Sequence, residues 1–144
     1  MTKKGVLIIG VLFLLYGGMR LIVGSLLLGQ EIGLYTFDIF AGPLDEVAQF
    51  MSDKSDSSIV AFSSTGYLFY LWIMGAALVF GAVAILRDKD IGEKAVGVFL
   101  VLWFLLFANF QTINPKILHL AVCAVLLALV MWLRRRQPVT GNAV

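Results

Sequence analysis

Residues 6–28 read VLIIGVLFLLYGGMRLIVGSLLL, twenty-three residues with a single charge, Arg20. A bilayer core about 30 Å thick needs about 20 helical residues to cross it. This run is therefore expected to be a membrane-spanning helix. Two questions follow from it: how many more such runs the chain carries, and what the buried arginine answers to.

Three further runs have the same character: 59–86, 95–110 and 117–133. The last two are short and are expected to draw on the turn "QTINPK" between them, with Pro115 at the first position of the fourth helix. None of the runs alternates polar and apolar residues, which excludes a membrane β-barrel. The composition agrees: of 144 residues 60% are hydrophobic and 14% charged, against about 25% charged in an ordinary soluble domain. The expected fold is all-α: an integral membrane four-helix bundle forming one domain over 1–136, followed by a polar tail at 137–144.

The charges orient such a bundle. Lys3 and Lys4 precede the first span, Arg87, Lys89 and Lys94 lie between the second and third, and Arg134–Arg136 follow the fourth. Four crossings bring all three groups to one side. The other side receives the loop 29–58, with Glu31, Asp38, Asp45, Glu46, Asp53 and Asp56 against Lys54. Basic residues stay on the cytoplasmic side, so both termini are expected inside and the acidic loop outside. The first span is longer than the apolar core of a signal peptide, is interrupted by Arg20, and lacks a small-x-small cleavage pattern. It is expected to be a retained helix.

Within the outer loop, "PLDEVAQFM" places Leu44, Val47, Ala48 and Met51 at i, i+3, i+4 and i+7. That is one face of a helix, with Pro43 at its start and Asp45 and Glu46 at the positive end of its dipole. Nine residues cannot span, so this is expected to be a short amphipathic helix at the outer surface, capping the bundle or lidding a cavity. "SDKSDSS" after it reads as a polar linker.

Small residues let membrane helices approach closely. Gly10, Gly17 and Gly24 recur every seven residues and form one stripe, which suits packing within the chain or a homo-oligomer. Gly75, Ala77 and Gly81 in the second span, and Ala121, Ala124 and Ala128 in the fourth, are read as further packing faces. Trp103 and the 11 phenylalanines are read as core or lipid-facing residues.

Arg20 lies three residues from Gly17 and four from Gly24, with Tyr16 one turn before it, so it is expected to face the other helices. It sits about 12 Å below the outer end of its run at 1.5 Å per residue. An arginine at such depth costs about 2.5–3.5 kcal/mol on insertion scales, which calls for a partner. The candidates on the outer half are Tyr67, Tyr70, Asn109 and His119, with Asp38 as the loop acid able to fold back. No carboxylate stands within the spans. Either these groups form a static network around Arg20, or an anionic or polar ligand completes it.

Much chemistry is excluded. One histidine and one cysteine, Cys123, cannot make a zinc site or a disulfide. There are no paired intramembrane acids for a proton relay and no phosphate loop. No polar stripe runs the depth of a helix, which argues against a channel. No cofactor is identified from the residues, although a lipid or quinone is compatible with the polar site.

The sequence resembles the DoxX-like small four-helix bacterial membrane proteins. The resemblance rests on "MRLIVG" in the first helix, "GPLDEVAQFM" in the outer loop, and "GAVAILRDKDIGEKAVGVFL" across the inner loop. Members often carry a glutamate in the second helix, where this chain reads "YLFYLWIMGAALVFG". The resemblance implies a bacterial cytoplasmic membrane location and a link to quinone-related oxidation. From the residues alone, the leading expectation is a non-catalytic accessory or scaffold protein acting through helix packing and its acidic loop. The alternative is a small oxidoreductase component or a lipid- or quinone-binding protein using the Arg20 cluster.

Overall fold

The computed structural model describes residues 2–112 and 115–136, and every regular element among them is helical. The helices are α1 (Thr2–Glu31), α2 (Ala41–Lys54), α3 (Ser64–Leu86), α4 (Ile91–Phe110) and α5 (Lys116–Arg135), with a 3-10 turn at Asp38–Phe40 before α2. Four of them, α1, α3, α4 and α5, are long and apolar enough to cross a membrane. The expected tail and part of the turn before α5 lie outside the described residues.

Local chemistry sets the helix ends. α1 stops where Gly33 takes φ +78°, with Gly33 N–H donating to Gln30 O and Leu34 N–H to Gly29 O; the missing Cβ makes that left-handed step inexpensive. Tyr35 Oη then donates to Leu26 O at 2.6 Å, folding the loop back along α1. Ser63 caps α3 by accepting from Gly66 N–H at 3.1 Å. α4 ends at Gln111, which is left-handed at φ 48°.

α1 packs along α3, α3 along α4, and α5 touches both α4 and α1. Gly10, Gly17 and Gly24 all face α3, against Leu86, Leu78 and Trp72 respectively. Gly75 returns the favour toward the Leu21 backbone. Between these helices Phe13, Met74, Leu78, Ile85, Val96, Phe99 and Val130 are almost wholly shielded. The outward faces remain apolar: Leu15 and Ile22 of α1, Phe104 of α4 and Val125 of α5 are exposed. Apolar residues on both faces are what a helix between core and hydrocarbon requires.

Several expectations need correction. The second long apolar helix begins at Ser64, not at residue 59; residues 59–63 are an approach segment clamped to α4 by Asn109. α2 is longer than the nine residues expected and continues through Ser52, Asp53 and Lys54, because its exposed polar residues do not interrupt helical geometry. Its inward face is Val47, Phe50 and Met51, while Ala48 is exposed. Pro115 sits one residue before α5 rather than inside it. Ala121, Ala124 and Ala128 are exposed, not packed. α5 turns Cys123, Leu127 and Val130 inward instead, and the alanines lie about 100° or more around the helix at 3.6 residues per turn.

Candidate functional site

The ends of the helices differ. At one end the start of α1, the close of α3, the start of α4 and the close of α5 meet. There Arg134 gathers Asp88, Asp90 and Glu93 at 3.2, 3.6 and 3.2 Å. It also donates to the carbonyls of Ile85 and Lys89. Arg134 is a structural knot: it ties α5 to the α3–α4 turn.

At the other end is a cavity of about 720 Å³ between α1, α3, α4 and α5, with α2 against it. Arg20 is in its wall. The Arg20 Nη1–H donates to Tyr16 Oη at 3.1 Å. Its guanidinium carbon lies 4.7 Å from the Trp103 ring centroid, 5.6 Å from that of Tyr16 and 5.8 Å from that of Phe99. Among the described residues no carboxylate is within ion-pair distance of it. Ring quadrupoles thus offset part of the charge's desolvation, worth about 0.5–2 kcal/mol per contact, and leave the cation without a counter-ion.

The roof is aromatic. Phe50 of α2 lies 5.1 Å from Phe110 and 6.2 Å from Tyr67, and Tyr67 lies 5.9 Å from Phe110, all centroid to centroid. Edge and tilted arrangements of this kind stabilise beyond the area they bury. The polar lining is completed by Glu46 from α2, Thr112, and Lys116 and His119 from α5.

Of the residues expected around Arg20, the structure brings together Tyr16, Tyr67 and His119. Tyr70 and Asn109 serve elsewhere. Tyr70 Oη donates to Leu102 O at 2.8 Å, joining α3 to α4. Asn109 accepts from Val60 N–H at 2.7 Å and donates to Val60 O at 3.0 Å. Asp38 is exposed at the 3-10 turn and does not line the cavity. Sequence reasoning missed Trp103, Glu46 and Lys116. Glu46 had a signal: it adjoins Val47 and precedes Phe50 by one turn, so the apolar face of α2 carries it along.

The arrangement combines a fixed cation, hydroxyl and imidazole groups, and aromatic walls. It can hold an amphiphilic molecule by its polar end. Among the described residues no cluster of His, Cys, Asp and Glu is placed to hold a metal ion. Comparisons with protein-family models, curated proteins and solved structures find no match.

Proposed function

We propose that this chain is a four-span helix bundle of a bacterial cytoplasmic membrane that binds a lipid- or quinone-like amphiphile in its outer cavity. Eight of the 11 basic residues (Lys3, Lys4, Arg87, Lys89, Lys94, Arg134, Arg135 and Arg136) belong to the end opposite the cavity. The positive-inside rule makes that end cytoplasmic, so both termini are inside and the cavity faces the outer leaflet. A DoxX-like affiliation belongs to the same proposal and rests on the sequence pattern and the four long apolar helices, since the second of them lacks the glutamate that members often carry.

The observation that carries the binding reading is Arg20 in a cavity wall, met by rings and one hydroxyl rather than by an acid. A purely structural arginine is ordinarily neutralised, as Arg134 is. Pockets of about 300–1,000 Å³, mostly apolar with a few convergent polar groups, are the usual form of a small-molecule site. The accessory-scaffold reading rests on helix packing and the acidic loop 29–58, neither of which accounts for a cation placed in a cavity wall.

The test is extraction of the wild-type protein and Arg20→Met in a polymer that retains native lipid, followed by mass spectrometry of the organic extract. One amphiphile enriched over bulk lipid in wild type, and lost in the variant, is the expected result. No enriched species in the wild type refutes the proposal.

A further inference from the structure

We infer that the cavity admits its ligand sideways from the outer leaflet, between α1 and α5, and that the ligand is a lipid with an anionic headgroup. This rests on the amphiphile-binding reading and specifies its class and route.

The route follows from which walls are closed. α1 and α3 meet backbone to backbone, since a Cβ on Gly75 would stand 3.1 Å from the Leu21 Cα. α3 and α4 are joined at the level of the cavity, where Tyr70 Oη donates to Leu102 O at 2.8 Å and the Tyr67 ring lies 5.9 Å from that of Phe110. Phe50 on Phe110 covers part of the roof. α1 and α5 are close at the opposite end, where Gly5 faces Leu133. At the level of the cavity, Met19 and Val23 of α1 both line it and stand 63% and 47% exposed. His119 of α5 likewise lines it and is exposed. Residues that belong at once to a cavity wall and to the outer surface mark its opening. Pro43, Glu46 and Lys116 meet the same criterion and form a polar rim at the outer end, whereas the side bounded by Met19 and Val23 is apolar and faces hydrocarbon.

The class follows from charge and size. The lining holds Arg20 and Lys116 against Glu46, a net positive balance. Only Nη1 of Arg20 donates to a protein group among the described residues. A phosphate offers the guanidinium a paired acceptor that aromatic rings cannot. A cavity of about 720 Å³ accommodates a headgroup and the start of its chains, not two full acyl chains. A lateral opening flanked by Met19 and Val23 lets those chains remain in the bilayer.

Trp103 supplies the readout, because it is buried from bulk lipid yet lines the cavity. Trp72→Phe with Trp132→Phe leaves Trp103 as the sole tryptophan. This protein is reconstituted in vesicles of phosphatidylcholine containing either phosphatidylglycerol or phosphatidylcholine brominated at the headgroup end of the chains, the part that the cavity takes in. Bromine quenches tryptophan only at close range. A protein retaining only Trp132, which is exposed, calibrates bulk-lipid quenching.

The expected result is Trp103 quenching by the brominated anionic lipid, with occupancy about fivefold that of the zwitterionic one, the effect of one cation on an anionic headgroup. Arg20→Met and Arg20→Gln in the same background, each verified by thermal melting, should erase the preference. Equal quenching by both lipids overturns the anionic class while leaving amphiphile binding intact. No quenching by either overturns the lateral route, and the mass-spectrometric extract then decides the broader reading separately.

Discussion

Gly92 of α4 lies so close to Ile85 of α3 that a Cβ at residue 92 would stand 2.6 Å from the Ile85 backbone nitrogen. It would also stand 2.8 Å from Gly81 O. Backbone cannot swing aside as a side chain can, so Gly92→Ala must part the two helices. Overpacking of this kind costs about 1–3 kcal/mol. Gly97, on the same helix, has nothing within 4 Å of its would-be Cβ. There the change to alanine removes only the helix penalty of glycine, about 1 kcal/mol. Thermal melting in detergent should show Gly92→Ala lowered and Gly97→Ala unchanged or raised. The same response at both positions would contradict the close crossing.

Asn109 holds Val60 through two side-chain hydrogen bonds, and its own carbonyl accepts from Ile59 N–H. Asn109→Leu keeps the volume and loses both side-chain bonds, at about 1–3 kcal/mol for buried groups left unpaired. The loss is local to residues 59–62, ahead of the Ser63 cap. Proteolysis at this segment should quicken while α3 and α4 stay associated. Asn109→Asp, which keeps the acceptor, should fall between. Unchanged cleavage in Asn109→Leu would show that the segment is held by something else.

The four long apolar helices were legible because apolar runs near 20 residues have one physical solution in a bilayer. Their packing was not, because a helix that is apolar all round does not declare which face meets its neighbours. The α5 alanines show the limit: three small residues in register, yet the larger Cys123, Leu127 and Val130 face inward. Tyr70 and Asn109 show another. Each was a sound partner for Arg20 by depth, and each is consumed by a nearby backbone group. Trp103 could not be singled out because an aromatic over a cation has no sequence spacing when the two lie on different helices. Arg134 was visible only as a topology signal. The acids that surround it alternate with the basic residues of the α3–α4 turn, and only the fold shows that they turn toward α5.

Arg134 is 10% exposed and Glu93 21%, whereas Asp90 is 98% exposed. The three pairs are therefore unequal. Arg134→Met leaves Glu93 without its partner and two carbonyls without their donor, which should cost up to about 3 kcal/mol. Glu93→Gln should cost less, since a hydrogen-bond acceptor remains. Asp90→Asn should leave the melting temperature unchanged, because a solvated ion pair contributes little. Asp88 has φ 55°, a conformation asparagine also tolerates, so Asp88→Asn should be mild and Asp88→Val harmful. Equal effects from Asp90→Asn and Glu93→Gln would mean that burial does not rank these pairs.

Orientation is tested at two exposed positions, Ser55 and Asp90. Each is changed to cysteine in a background carrying Cys123→Ala. A membrane-impermeant maleimide applied to intact cells should modify residue 55 at once and residue 90 only after the membrane is opened. The reverse pattern would turn the protein over and place the cavity on the cytoplasmic side. Modification of both from outside would rule out an odd number of crossings between them.

Arg20 and Tyr16 give the sharpest contrast, because their removal has opposite meanings. The Arg20 cation has Tyr16 Oη as its polar partner and three rings beside it. Arg20→Met therefore strands no opposite charge. It gives up cation–π attraction of about 1 kcal/mol per ring and also removes the comparable cost of holding a cation away from water, so the melting temperature should hardly move. Tyr16→Phe leaves the cation in place and takes away its acceptor, which should cost about 1–3 kcal/mol. The double variant Tyr16→Phe, Arg20→Met should recover most of that loss, because the group that needed the hydroxyl is gone. Asp38→Asn should be neutral, since Asp38 is exposed and is not among the residues that line the cavity. A large loss in Arg20→Met with no loss in Tyr16→Phe would make Arg20 a structural anchor whose partner is not the Tyr16 hydroxyl. A loss in Asp38→Asn as large as that in Tyr16→Phe would restore the loop acid as its counter-ion.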